Sequence, residues 1–174
     1  MKIGLRRGIV ELIPHQEEWR TAFEKEKKRL MGAGKGIVID IQHVGSTSIK
    51  GIPAKPIIDM TGGVKNIKDI KKLVEPLSSL GYAFYRQFGN EYLFIKESKA
   101  KRTHHLRVLK YKGSKWKTDA LFRDYLLSHP KRAKAYGILK KKLAKQYPAD
   151  RVRYTEGKNT FVETTIRLAK KASK

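Results

Sequence analysis

Residues 43–59 read HVGSTSIKGIPAKPIID, a polar turn between two segments rich in apolar and β-branched residues. The segments on either side, residues 37–44 and 56–60, are predicted as largely buried strands. A strand that ends in Gly45-Ser46 leaves backbone N–H groups and small hydroxyls free at the turn, where they can bind phosphate oxygens. This stretch therefore predicts an anion site at the end of two strands.

Side chains within the same stretch add charge and polarity to the predicted site. Thr47 and Ser48 supply two more hydroxyls, and Lys55 supplies a positive charge. Asp59 follows two apolar residues on the second strand, so it can face the turn and hold a divalent cation that bridges phosphates. The plainer interpretation is a hydrophilic turn, with Asp59 as a hydrogen-bond acceptor at the end of a strand.

Hydrophobic periodicity predicts an α/β (α+β) fold around this turn. Gly62 and Gly63 are predicted to end the strand that contains Asp59. The other predicted elements are a strand over residues 8–13, a helix over 16–31, a helix over 66–80 capped by Asn66, strands over 82–87, 92–96 and 104–111, and helices from residue 114 onward.

The predicted architecture is a mixed β-sheet with flanking helices, followed by a C-terminal helical subdomain. A length of 174 residues suits one domain, with a sheet-containing part over about residues 1–112 and a helical part over about residues 113–174. A sheet joined to a helical subdomain leaves a cleft between them, and we expect ligands to bind there.

The composition is strongly basic, with 40 Lys and Arg against 16 Asp and Glu and a net charge of +24. A basic surface attracts RNA and nucleotides, but lysines scattered through most of the chain also fit a lysine-rich host, so both explanations stand. Zero cysteines exclude disulfides and thiolate metal sites. No apolar run approaches the roughly 18 residues that would span a bilayer. We expect a cytoplasmic location.

The turn and its acid also resemble a known signature. A Gly-Ser pair followed by an acid on a strand resembles the nucleotidyltransferase superfamily, and the fuller string over residues 43–59 resembles the GrpB family within it. The later stretches that resemble this family are THHLRV at 103–108, FRDYL at 122–126, AY at 135–136 with LK at 139–140, and YT at 154–155 with Lys158. The chain is identified as a member of the GrpB family over nearly its whole length.

The resemblance implies a nucleotidyltransferase-like fold and a specific set of roles. Superfamily enzymes hold a nucleoside triphosphate with the Gly-Ser pair, and two Mg²⁺ or Mn²⁺ ions with two acids spaced by one residue plus a third acid on a later strand. Asp59 matches one metal-binding acid. The position two before it is Ile57, which binds no metal, and the strand of the third acid corresponds to residues 104–108. Two of the three acids are therefore missing.

That later strand offers His105 and Arg107 in place of an acid. One Asp with His and Arg nearby makes a poor magnesium site but a better anion site, because Arg pairs with phosphate in a bidentate manner. Arg107, Arg123 and Lys158 are accordingly predicted to bind phosphate, with an ion pair between Arg123 and its neighbour Asp124 as the structural alternative. His105 is predicted as a catalytic acid or base, or as a ligand for a softer metal.

Two functions follow from these expectations. The first is a GrpB-family protein that binds a nucleotide or other phosphorylated ligand in the cleft and transfers a nucleotidyl group with metal-bound Asp59 and His105. The second is a non-catalytic module that binds a nucleotide or RNA and has lost its metal triad. A purely structural protein explains the charge but gives no purpose to residues 43–59.

Overall fold

The computed structural model describes residues 1–173, and six strands in this part of the chain form one mixed sheet. The strands are β1 (Leu5–Arg6), β2 (Val38–Val44), β3 (Ile58–Val64), β4 (Tyr82–Phe88), β5 (Glu91–Ser98) and β6 (Lys101–Lys110). Their order is β2-β3-β6-β5-β4, and β1 pairs with the start of β6. The pairing of β3 with β6 is parallel, and the other pairings are antiparallel.

Helices cover the sheet and form the whole C-terminal part of the described chain. They are α1 (Glu18–Ala33), α2 (Val74–Ser78), α3 (Ser114–Ser128), α4 (Pro130–Gln146), α5 (Arg151–Glu156) and α6 (Asn159–Ala172), with 3-10 turns at Ser46–Ser48 and Ile67–Leu73. Pro130 begins α4, because the first turn of a helix does not need its missing N–H. Within residues 1–173, no helix combines the length and the apolar character needed to cross a membrane.

Alternation along β3 separates the core from the candidate site. Ile58 and Met60 are buried in the main core with residues of α1, whereas Asp59 and Thr61 point to the opposite face of the sheet. Other members of that core are Trp19, Phe23, Leu30, Ile41, Phe94, Leu106 and Val108. Burial of Ile58 and Met60 thus fixes the direction in which the Asp59 carboxylate points.

The opposite face of β3 is covered in part by α3. A Cβ atom on Gly63 would lie 2.8 Å from Cζ3 of Trp116 and 2.7 Å from Cδ2 of Tyr111. The prediction that Gly62 and Gly63 end the strand is wrong, since β3 runs through both to Val64. Glycine occurs there because the aromatic rings pack directly on the backbone.

Most predicted elements are confirmed, with local differences. The predicted strand over residues 8–13 is wrong, because β1 comes earlier and residue 13 makes only an isolated bridge with Ala54. Asn66 caps the next helical segment as predicted, but residues 67–73 form a 3-10 turn and Pro76 lies inside the short α2. The strands β4 to β6 lie where the alternation placed them.

We predict that Gly63→Ala lowers the free energy of unfolding by about 1–3 kcal/mol, because a methyl group overlaps the ring of Trp116. Gly32→Ala is the matched control: this glycine lies in α1 with no atom within 4 Å of an added Cβ. Helix propensity predicts a gain of up to about 1 kcal/mol there. Urea unfolding of the two variants measures both values. An unchanged free energy of unfolding in Gly63→Ala would contradict the packing argument.

Candidate functional site

The site begins at the contact between Gly45 and Asp59, where β2 and β3 end side by side. Val44 pairs with Asp59 across these two strands. Gly45 has φ +69° and ψ −170°, and a Cβ atom there would lie 2.7 Å from Oδ2 of Asp59. Glycine is required both by this conformation, which other residues rarely adopt, and by the carboxylate packed against its backbone.

Hydrogen bonds within the turn use two of the hydroxyls predicted to bind phosphate. The Ser48 hydroxyl donates to the carbonyl of Gly45 (2.6 Å), and the buried Thr47 hydroxyl donates to the carbonyl of Ile57 (3.4 Å). Thr47 Oγ1 also lies 2.9 Å from Nε2 of His43, and burial lowers the pKa of that imidazole to about 4. Neutral His43 therefore donates to Thr47, and both hydroxyls stabilise the turn.

Asp59 pairs with His105 on the neighbouring parallel strand β6. Nδ1 of His105 lies 2.8 Å from Oδ1 of Asp59, and its Nε2 lies 3.5 Å from Nη2 of Arg151. Because Arg151 only donates and a carboxylate only accepts, these contacts assign the proton of neutral His105 to Nδ1. Nε2 is then left as a base.

The charge of Asp59 is set by opposing effects. Burial raises its pKa, but the hydrogen bond and charge of His105 and the charges of Lys55 and Arg151 outweigh burial and lower the pKa to about 2. The carboxylate is thus ionised at neutral pH, and 42% of its side chain is exposed. Asp59 can therefore contact a cation or a ligand from solvent.

Three partly buried cations surround this carboxylate. Burial lowers the pKa of Lys55 to about 7, and repulsion by Arg151 and Lys158 adds to the effect. Burial likewise lowers the pKa of Lys158 to about 8 and that of Arg151 below its ordinary value, against the attraction of Asp59. The Nζ atoms of Lys55 and Lys158 lie 5.1 and 4.5 Å from the ring centre of Tyr154. The cluster thus has more positive charge than Asp59 offsets.

A fourth cation, Lys140, lies behind this cluster and is only 1% exposed. Its ammonium donates to the carbonyl of Pro53 and lies 4.8 Å from the ring centre of Tyr136. Burial lowers its pKa to about 7, with repulsion from Lys158 and Lys55. Burial and, to a smaller extent, the charge of Asp59 raise the pKa of Tyr136 to about 12, although a hydrogen bond with Ser46 opposes this shift. Lys140 thus fixes the segment that leads to Lys55.

The two arginines predicted to bind phosphate differ in their bonding. Arg107 faces the same side of the sheet as His105, and its buried Nε lies 3.4 Å from a carboxylate oxygen of Glu91 without forming a hydrogen bond. Arg123 of α3 donates from Nη1 to the carbonyl of His43 (2.9 Å) and from Nε to Asp124 (2.7 Å). The structural alternative for Arg123 and Asp124 is therefore present. The residues brought together are Gly45, Ser46, Lys55, Asp59, His105 and Lys158.

The geometry supplies few ligands for a metal. Ile57 is buried and precedes β3, whereas the residue that shares a face with Asp59 is Thr61, whose hydroxyl donates to Asp119 (3.1 Å). Across residues 1–173, no three His, Asp or Glu side chains are grouped to hold an ion. A Mg²⁺ or Mn²⁺ ion would thus depend on Asp59 together with phosphate and water oxygens, a mode that Mg²⁺ uses in phosphate sites.

Sequence reasoning missed several residues of this site. Lys140 carried a signal, because it lies on the apolar stripe of α4 between Tyr136 and Leu143, where a charge is unexpected. Arg151 carried none: it follows the helix cap Asp150 in a polar stretch, and only the packing of α5 against the sheet brings it to His105.

Comparison with known proteins identifies the family of the whole chain. The family model described as "GrpB protein" matches residues 9–167. The chain belongs to the GrpB family. It is 41% identical over 170 residues to the glutamate-rich protein GrpB of Alkalihalophilus pseudofirmus, covering 94% of this chain and 98% of that protein. The crystal structure of conserved protein GrpB from Enterococcus faecalis matches with a TM-score of 0.86 and 30% identity, covering 94% of this chain and 100% of that one.

A more distant likeness links this GrpB protein to the nucleotidyltransferase fold. The structure of Cid1 in complex with its short product ApU matches with a TM-score of 0.53 and 14% identity, over 76% of this chain and 43% of Cid1. A second Cid1 structure, described as a poly(U) polymerase, matches with a TM-score of 0.52. At this identity the likeness shows the fold alone.

We predict that Gly45→Ala destabilises the protein by about 2–4 kcal/mol, because it combines backbone strain with a clash against Asp59. Gly51→Ala is the control, since Gly51 also has positive φ (+79°) but no atom within 4 Å of an added Cβ. We expect a loss of about 1 kcal/mol there. Denaturant unfolding gives the difference; equal losses would show that the Asp59 contact adds nothing.

Proposed function

We propose that this GrpB protein binds a nucleotide, or another phosphorylated small molecule, through its phosphates in the cleft beside Asp59. The observation that carries the proposal is the cluster of Lys55, Arg151 and Lys158 around one carboxylate. Burial and mutual repulsion make these cations unfavourable in the free protein, and a bound anion relieves both. Strongly shifted side chains grouped in a cleft are typical of binding and catalytic sites.

The geometry gives each residue a role in this proposal. Arg151 offers a planar guanidinium for bidentate contact with phosphate, and the two lysines act as point charges. Gly45 and Ser46 let the ligand approach the backbone at the turn. Thr47, Ser48 and Arg123 act through the shape of that turn, since their polar atoms already bond to the protein.

A second candidate function, nucleotidyl transfer, is favoured by the contact between Asp59 and His105. In such a reaction an acceptor hydroxyl attacks the α-phosphorus of the bound nucleotide and pyrophosphate leaves. With Arg151 drawn to the phosphates and away from Nε2, His105 would take the proton of the hydroxyl at Nε2, while Asp59 stabilises the resulting imidazolium. A divalent ion held by Asp59 and the phosphates would offset the developing charge. The polymerase fold shared with Cid1 supports this candidate, and the absence of acids at Ile57 and on β6 favours simple binding.

We predict that ATP raises the melting temperature of the protein and that Lys158→Met weakens ATP binding about 10- to 100-fold, because a charged hydrogen bond is lost. The matched control is Lys142→Met, which removes the same charge from the exposed face of α4. Isothermal titration calorimetry measures each affinity. Equal effects of the two variants would contradict the proposed site.

The variant Asp59→Asn separates the two candidate functions within the same titration. Binding without metal should stay at least as tight, because a negative charge beside the phosphates is removed. Any additional binding that depends on Mg²⁺ or Mn²⁺ should disappear with the carboxylate. If the metal adds nothing to binding by the unmodified protein, metal-dependent transfer is excluded and phosphate binding stands.

We predict that triphosphate binding takes up protons at about pH 8 and weakens toward about pH 9.5. In the free protein the pKa of Lys55 is about 7 and that of Lys158 about 8, so both are partly neutral at pH 8. A bound anion raises both pKa values, so the stabilisation is complete below the free pKa and is lost as pH rises through the bound pKa. Calorimetry with tripolyphosphate in two buffers of different ionisation enthalpy measures the uptake. Proton release would contradict this account.

A further inference from the structure

The sheet face that carries Asp59 continues across three strands to the open edge of the sheet. Asp59 pairs with His105, His105 with Ile95, and Ile95 with Ala83 of β4. Three strand spacings correspond to roughly 14 Å. Next to Ala83, a register shift between Phe84 and Arg86 leaves Tyr85 as an extra residue in the edge strand.

This edge exposes three aromatic rings, of which Phe84 also contacts the core rings of Tyr92 and Phe94. Phe84, Tyr85 and Phe88 are each 45–47% exposed. Guanidinium groups lie against two of these rings: Arg86 is 4.1 Å from the ring centre of Phe88, and Arg102 is 4.8 Å from that of Tyr85. Solvent-exposed rings in contact with arginines form a surface that is both aromatic and positively charged.

A cavity of about 150 Å³ opens beside Tyr85. A cavity of about this volume can hold a single six-membered ring. Its wall includes Arg7 and Arg102, which both pair with Glu97: Arg7 at 2.9 Å and Arg102 at 3.2 Å. This carboxylate is therefore already neutralised, and the arginines keep the surface positive.

The edge surface is electrostatically continuous with the cluster around Asp59. The charge of Arg102 contributes to lowering the pKa of Lys55 and of Arg151, and Arg86 also acts on Arg151. A polyanion that contacts the arginines of the edge therefore also meets the field of the cleft. No other described feature joins exposed rings and cations in this way along a single path to Asp59.

We propose that the exposed edge surface of β4, with Tyr85, Arg86 and Phe88, forms a stacking surface for single-stranded nucleic acid together with the cavity beside Tyr85. The bound nucleic acid runs from this edge toward Asp59. Bases stack on Tyr85 and Phe88, and Arg86 pairs with the phosphates, while Arg102 stays bonded to Glu97 and adds positive charge beneath Tyr85. Such a combination binds single strands without reading their sequence. A duplex keeps its bases inside and cannot reach the rings. The direction of the strand rests on the proposed function, whereas the stacking itself does not.

The test measures fluorescence anisotropy of labelled oligoadenylate of about 12 nucleotides, as RNA, as DNA and as a duplex of equal length, without nucleoside triphosphate. We expect Tyr85→Ala to weaken single-strand binding about 5- to 100-fold with an unchanged salt dependence. Arg86→Ala should weaken binding and reduce the salt slope by about one. Two control variants on α4 are Ile138→Ala, which removes an exposed apolar side chain, and Lys142→Ala, which removes an exposed charge.

The outcomes distinguish this surface from the nucleotide site. Tyr85-dependent oligonucleotide binding that persists in Lys158→Met, while ATP binding is lost, supports a surface separate from the nucleotide site. If the unmodified protein binds the oligonucleotide through Tyr85 but does not bind ATP, the surface stands and the proposed nucleotide function fails. Quenching of 2-aminopurine placed in the oligonucleotide, measured on the unmodified protein, supports base stacking without any variant. Binding that is unchanged in Tyr85→Ala, or equally tight for the duplex, overturns the proposal.

Discussion

The parallel pairing of β3 with β6 is the constraint on which the rest of the structure depends. It joins residues 58–64 to residues 104–110. Because parallel neighbours cannot be linked by a short hairpin, the connection between them is long and contains β4 and β5. In one register it buries Ile58 and Met60 beside Leu106 and places Asp59 beside His105. A shift of one residue would exchange the two faces and destroy the core and the site together.

Charge compensation differs between the two faces of the sheet. On the core side, buried Glu26 accepts hydrogen bonds from Tyr82, Lys96 and Arg29 at 3.0, 2.7 and 3.1 Å, so both cations bond directly to the carboxylate. On the other side, Asp59 is one carboxylate against three partly buried cations. The first arrangement holds α1 on the sheet, and the second leaves positive charge that a ligand can neutralise. In a chain of net charge +24, this local excess of positive charge indicates a ligand site more directly than the total charge does.

The sequence predicted the parts of the site that depend on short-range patterns. The Gly-Ser turn and Asp59 could be located because a turn and the alternation of one strand fix their positions. Arg151 could not, since its contact with His105 spans 46 residues and depends on how α5 packs. Gly63 was misread for a similar reason: a glycine that ends a strand and one that lies under a tryptophan look alike until α3 is in place. The hydrogen bond between Thr61 and Asp119 could not be predicted for the same reason, because it joins β3 to α3, which is distant in the sequence.

The edge strand β4 has a consequence for assembly as well. An unpaired strand exposes N–H and C=O groups to which the edge of another molecule can add, and flat apolar edges are prone to such pairing. The irregularity at Tyr85 interrupts the regular backbone spacing, and Arg86 places a charge in the middle of the edge. Two molecules that met through their β4 edges would therefore bring like charges together. Tyr85 and Arg86, which belong to the proposed stacking surface, thus also oppose edge-to-edge aggregation of the sheet.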